Sequence, residues 1–325
     1  MGWVLSDILI LFWVVLTLLI LAAVFAPLES LGWWAGWSGK KVTPEDLLEV
    51  KNIIPQTQLE NVKKYYIVYL SGIGVATADG LATDEVDFIT MLTDAMPEAE
   101  VITDVFPYSV TNNPLTGQRI LTPLWKWVYT LQQKNPNSLI AMMTINIRNI
   151  LQVFVSSDPR YGPIYNVGVA EEIARSLIRH NYPIGTNKPL FLIGFSGGGQ
   201  ISIGATPYLS PMIGGPVYVV TVGGFLSDDP GIQQVAHLYH NYGDNDPLQA
   251  MGAFLWVGRW QIMLKSPWNL MFSKEHITMS CMGPMAHNGK GGYYDVHVNL
   301  PDGRNYCKAT VDRVIETIVN EGSRI

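Results

Sequence analysis

The sequence predicts an α/β domain with a mostly parallel sheet flanked by helices, carried behind an N-terminal transmembrane helix. Three observations predict it. Apolar runs of strand length recur at residues 65–70, 190–193, 216–222, 235–242 and 277–282, and amphipathic helical stretches lie between them. Residues 189–200 read P-L-F-L-I-G-F-S-G-G-G-Q, a strand that runs straight into a glycine-rich turn. Residues 8–26 form an uncharged, mostly apolar run of 19 residues.

Composition narrows the function classes. The chain of 325 residues has room for one large α/β domain and an appendage. Charged residues are only 15% and the mean hydropathy is +0.17, apolar for a soluble protein. A net charge of -6 argues against nucleic acid as a partner. Two cysteines, Cys281 and Cys307, make no disulfide framework, and no Cys-x-x-Cys or His/Cys cluster points to a structural metal.

From the N-terminus, a helix over residues 8–26 would span roughly 28 Å, close to the hydrocarbon thickness of a bilayer. Trp3 on one side and Trp33, Trp34 and Trp37 on the other stand where interfacial aromatic anchors stand, and Pro27 ends the run. A cleaved signal peptide fits less well, because no Lys or Arg precedes the run and the run is long for such a segment. Residues 1–27 are therefore expected to anchor the chain in a bilayer as a single pass. Lys40 and Lys41 lie just beyond the helix, which by the positive-inside rule puts the large domain in the cytoplasm. Residues 28–64 read as a juxtamembrane connector, with Thr43-Pro44-Glu45-Asp46 starting a short helix.

The domain is expected over residues 65–325. Residues 65–70 (Y-Y-I-V-Y-L) read as a buried strand followed by the turn Ser71-Gly72-Ile73-Gly74. Residues 84–95 place Phe88, Met91, Leu92 and Ala95 on one helical face, and residues 100–106 return as a strand, a right-handed parallel crossover. A helix over 167–179 feeds the strand before Gly194. Between them, residues 107–165 exceed an ordinary connection and hold two apolar stretches, 124–131 and 139–155. These read equally as a helical cap or bilayer-docking surface and as an ordinary buried helix pair. Past the glycine-rich turn, strands at 216–222 and 235–242 lead to Gly243-Asp244-Asn245-Asp246-Pro247. Residues 253–268 carry Trp256, Trp260 and Trp268 among other apolar side chains, an excursion that lines an acyl site or touches lipid. A last strand at 277–282 precedes the loop Gly283-Pro284-Met285-Ala286-His287. A terminal hairpin (295–300 with 304–307) and an amphipathic helix (309–320) close the chain.

Gly194-Phe195-Ser196-Gly197-Gly198 is the pattern G-x-S-x-G. A serine hydroxyl is a poor nucleophile unless a sharp strand-to-helix turn holds it exposed beside a base. Gly194 and Gly198 leave room for such a turn, and the amide of Gly197 faces a developing oxyanion. The stretch resembles the nucleophile elbow of the α/β-hydrolase superfamily, a resemblance that extends over residues 62–322. It implies a triad in chain order. Ser196 is the nucleophile; Asp246, in a loop similar to the family's G-x-x-D-P, is the acid; His287, beyond the last strand, is the general base. Asp244 and the pair Asp228-Asp229 are rival acids, and a turn aspartate beside proline is the plain alternative. His180, His237, His240 and His276 fall in or beside elements, and His297 lies in an alternating stretch. The loop after the first strand, with Ser71 where the family often has histidine, would supply the second oxyanion amide from Ile73.

These readings add up to a membrane-tethered serine hydrolase cleaving an ester or thioester of a lipidic or acylated substrate. Its partners would be the bilayer and a small acyl or lipid substrate, and no metal or organic cofactor is implied. A peptidase or acyltransferase on the same triad, and a catalytically silent scaffold with the same fold, are the alternatives.

Overall fold

Six strands build one sheet: β1 (Tyr65–Leu70), β2 (Ala99–Ile102), β3 (Leu190–Phe195), β4 (Val217–Val222), β5 (His237–Tyr242) and β6 (Ile277–Cys281). The computed structural model describes residues 2–36, 62–117, 122–135 and 138–323. The strand order is β2-β1-β3-β4-β5-β6 and every pairing is parallel. The helices are α1 (Gly2–Phe25), α2 (Leu28–Trp34), α3 (Thr83–Ala95), α4 (Thr122–Lys134), α5 (Leu139–Ser157), α6 (Gly162–Arg179), α7 (Gly197–Ile213), α8 (Pro247–Leu255), α9 (Pro267–Ser273) and α10 (Tyr306–Gly322).

The continuous apolar character of β1 and β3 follows from burial on both faces. Alternate residues of β1 serve two cores. Tyr66, Val68 and Leu70 pack with Val169 and Ile173 of α6 and Ile201 and Leu209 of α7. Tyr65, Ile67 and Tyr69 pack with Phe88 and Leu92 of α3 and Val311 and Val314 of α10. Burying Leu190, Phe191, Leu192 and Ile193 in β3 contributes roughly 1.5–3 kcal/mol per side chain. The strand order reverses between β1 and β3, so the crevice beyond their carboxyl ends is where an open α/β sheet binds ligands.

Several boundaries differ from the sequence expectation. β2 ends at Ile102 rather than 106, because polar groups take over the backbone. Asp104 bonds Ser176 and Arg179 of α6, while Asn112 accepts the Phe106 amide and donates to the Asp104 carbonyl. α6 begins five residues earlier than expected, with Pro163 in its first turn. The expected terminal hairpin reduces to one bridge between Asn299 and Asn305, since Asn305 caps α10 through the Lys308 amide and turns the chain into helix. The segment 107–165 holds α4 and α5. α5 buries Ala141, Ile145, Asn149 and Val153 yet exposes Leu139, Ile140, Met142 and Met143, so it is a packed helix with one open apolar face.

α1 and α2 are separated at Pro27, and the stretch Val15–Trp34 has a mean hydropathy of 2.0, long and apolar enough to cross a membrane. Their junction docks on the domain. Gln152 of α5 donates to the Ala26 carbonyl (3.2 Å), Arg148 pairs with Glu29, and Trp33 is buried. Trp37, Lys40, Lys41 and Thr43-Pro44-Glu45-Asp46, on which the topology and connector readings rest, lie outside the described residues.

Candidate active site

β3 delivers Ser196 directly to the N-terminus of α7, and the turn is sharp enough to force a non-glycine residue into φ 53°, ψ -120°. Such a conformation costs roughly 1–3 kcal/mol and persists only where packing over-determines it. The packing is visible at the flanking glycines. A Cβ on Gly194 would sit 2.5 Å from the Gly199 Cα, and one on Gly198 would sit 2.2 Å from the Leu70 carbonyl oxygen. Backbone occupies both places, so the elbow closes only on glycine.

The structure brings Ser196, His287 and Asp246 together. Ser196 Oγ and His287 Nε2 are 2.9 Å apart, and His287 Nδ1 is 2.9 Å from Asp246 Oδ2. Phe195 stacks on the imidazole at a centroid distance of 5.3 Å and fixes its plane. With Nδ1–H donating to the carboxylate, Nε2 is left as the acceptor for the serine hydroxyl. All three side chains are nearly enclosed, with relative exposures of 6% for Ser196, 3% for Asp246 and 7% for His287.

Asp246 divides its two oxygens. Oδ1 caps α8, accepting from the amides of Leu248 (2.9 Å) and Gln249 (3.3 Å), as a turn aspartate beside proline does. Oδ2 accepts from His287 and from the Tyr293 hydroxyl at 2.7 Å. Burial works to raise the Asp246 carboxyl, but His287, Tyr293 and the Gln249 amide outweigh it and hold the group below the ordinary carboxylate value. Tyr293 in turn accepts from the Gly243 amide at 2.8 Å. No residue pattern announced Tyr293. It follows the turn Gly291-Gly292, six residues past His287, and only the fold carries it under the acid.

The rivals Asp244 and Asp229 are engaged elsewhere. Asp244 accepts from Cys281 Sγ, and Asp229 accepts from Gln200 and the Gly231 amide, burial pushing its carboxyl up to about 6. His180 meets Glu100, His237 meets Thr278, and His276 and His297 are exposed. His240 is fully buried against Thr221, and burial pushes its imidazole down to about 3, which keeps it neutral.

Ile73 and Gly197 are neighbours: a Cβ on Gly197 would come within 2.9 Å of Ile73 Cγ2. Neither amide has a hydrogen-bond acceptor among the described residues. The peptides on either side of the Gly72–Ile73 peptide are pinned. Tyr108 donates to the Ser71 carbonyl (2.8 Å) and buried Glu85 accepts the Gly72 amide (2.9 Å). On the far side Asn149 of α5 donates to the carbonyls of Ile73 and Val75, both at 2.7 Å. Gly197 opens a helix of 17 residues, so its amide also sits at the positive end of the α7 dipole. Two free N–H groups beside a hydrogen-bonded serine suit a developing oxyanion. Tyr108 and Asn149 belong to distant segments and Glu85 to the next helix, and nothing in their local sequence marks them.

Among the described residues no group of His, Cys, Asp and Glu is arranged to hold a metal. A recess lined by Leu115, Trp125, Val128 and Ile145 lies under α4 and α5. It does not include Ser196. No protein-family model, no curated protein and no solved structure matches the chain.

Proposed function

We propose that this chain is a serine hydrolase of the α/β-hydrolase type, tethered to a membrane by α1, that cleaves a carboxylic ester or thioester through an acyl-enzyme. The observation that carries the reading is Ser196, held at positive φ, with its Oγ 2.9 Å from the nitrogen of a histidine whose other nitrogen meets a buried carboxylate. Ser196 Oγ attacks the acyl carbonyl while His287 Nε2 takes its proton, and Asp246 stabilises the imidazolium. The amides of Gly197 and Ile73 receive the charge on the carbonyl oxygen. His287 then returns the proton to the departing alkoxide or thiolate. Water repeats the sequence, giving up a proton to His287 and releasing the acid. General-base catalysis of this kind contributes roughly 10²–10⁴-fold, and one oxyanion donor about 10²–10³-fold. Apolar surroundings and the α1 anchor support a lipidic acyl group. A thiol, amine or second alcohol in place of water would make the same machinery an acyltransferase, and an amide substrate would make it a peptidase.

One observation favours a catalytically silent scaffold: the near-complete enclosure of Ser196, Asp246 and His287. Val153 of α5 lies against Gly197, where a Cβ would come within 2.7 Å of its Cγ2, so on the hydrolase reading substrate access requires side chains around the site, Val153 among them, to move. Hydrolysis of p-nitrophenyl esters of increasing chain length by the detergent-solubilised chain separates the two. A burst of nitrophenolate that vanishes in Ser196→Ala supports the enzyme, and equal slow release from both proteins supports the scaffold.

A further inference from the structure

The segment from Met251 to Leu264 has an unusual surface. Phe254, Ile262 and Leu264 are 72%, 80% and 74% exposed, and Leu255, Val257 and Met263 are exposed beside them. The one charged residue in the run, Arg259, is turned inward, donating to the Leu226 carbonyl and lying 4.0 Å over the Trp268 ring. Contiguous exposed apolar surface of this kind marks an interaction site. The segment is also built to hold that shape. Asn269 Nδ2 shares its two N–H groups among the carbonyls of Gly258, Trp260 and Met263, and Trp260 Nε1 donates to the Phe254 carbonyl. Apolar side chains are therefore presented outward from a hydrogen-bonded frame.

Its position indicates what covers it. Trp256 packs on Phe154 of α5 (5.8 Å) and on Phe225 (5.0 Å). Two residues before Phe154, Gln152 holds the Ala26 carbonyl at the end of α1, and one turn earlier Arg148 pairs with Glu29. The apolar segment thus continues the edge of the domain from which the membrane-length helix departs. On its inner side, the Phe225 amide donates to the Ser196 carbonyl at 3.1 Å. Lys265 follows directly after Leu264 and is exposed, a first cation where headgroups would begin.

We propose that residues 251–264 dip into the same phospholipid bilayer as α1 and form a second membrane contact beside Ser196. On the hydrolase reading, on which this consequence rests, an acyl chain would pass from the bilayer past Trp256 and Phe225 to the serine without crossing water once the side chains that enclose Ser196 move aside. An interfacial segment of this type binds through buried apolar area, with cations at the headgroup level.

The test uses the full chain in phosphatidylcholine vesicles, with Cys281→Ser as background because Cys281 is exposed and Cys307 buried. Single cysteines at Leu18, Val86, Ile262 and Leu264 carry a nitrobenzoxadiazole label. Leu18 reports the bilayer around α1, and Val86 lies on α3, across the sheet from α5. The proposal expects blue-shifted emission, quenched by doxyl-labelled acyl chains, at 18, 262 and 264 but not at 86. Quenching at 18 alone overturns it and leaves the helix in the membrane. Quenching at none of the four removes the bilayer premise and the proposal with it. A blue shift at 262 that grows with protein concentration and resists lipid quenchers assigns the surface to a second copy, and also overturns it. The readout needs no catalysis, so a failed hydrolase reading leaves it interpretable.

Discussion

Glu85 lies on α3, 3% exposed, beneath the loop that presents Ile73. Burial pushes its carboxyl up to about 7 from 4.5, the Gly72 amide pulling the other way without prevailing. Between those values the folded chain keeps a proton that the unfolded chain has released. The stabilisation is therefore full below pH 4.5 and is lost as the pH rises to about 7. At about 1.4 kcal/mol per pH unit, the wild type loses roughly 3 kcal/mol across this window through Glu85 alone. Glu85→Gln keeps an acceptor for the Gly72 amide and never ionises, so it escapes the loss. Urea unfolding of the solubilised chain, followed by tryptophan fluorescence at pH 4.5, 6, 7 and 8, gives the difference between variant and wild type. Groups common to both cancel. The difference should move in favour of Glu85→Gln by roughly 3 kcal/mol between the lowest and highest pH. A difference constant across the range would refute the claim that burial holds this carboxyl protonated.

Tyr293→Phe strands the Gly243 amide and takes one donor from Asp246; unfolding should cost about 1–3 kcal/mol less, and the rate of fluorophosphonate labelling should fall roughly tenfold. Asp246 is held below the ordinary carboxylate value, so its contribution to stability is present above that value and lost as pH falls through its folded pKa. Asp246→Asn should flatten the acid limb of the pH–stability curve. Asn149→Ala frees the Ile73 and Val75 carbonyls and should slow labelling by roughly 10–100-fold through a misplaced donor loop, with circular dichroism unchanged. Gly198→Ala drives a methyl into the Leu70 carbonyl, which as strand backbone cannot give way, and should destabilise by about 3 kcal/mol or more in the same urea experiment.

How much of this was legible in the sequence depends on whether the signal was local. The strands at β1, β3 and β4 were readable because burial on both faces leaves uninterrupted apolar runs. Ser196 was readable because its turn demands glycine on both sides within five residues. Asp246 and His287 could be paired with it only through chain order and the family resemblance, and the two 2.9 Å contacts are what tie them together. Tyr293, Tyr108 and Asn149 were invisible, since each acts across a gap of dozens of residues that only the tertiary fold closes, and Glu85, 13 residues from Gly72, sits on a separate helix that the same fold turns back under the loop. A more local effect hid the end of β2 and the collapse of the terminal hairpin: Asn112 and Asn305 bond nearby backbone and Asp104 reaches Ser176, so side chains displace the strand ladder there. Propensity sees the strand-forming residues, not the side chains that outcompete the ladder.

The central claim is that Ser196 is an activated nucleophile, and the most direct measurement is to locate a covalent adduct. The solubilised wild type, Ser196→Ala and His287→Ala are incubated with a fluorophosphonate and digested, and the peptides are sequenced by mass spectrometry. Phosphonylation of Ser196 is expected in the wild type, and none at that position in His287→Ala. Folded wild-type protein that stays unmodified, or an adduct on Ser196 that forms equally fast without His287, would contradict it.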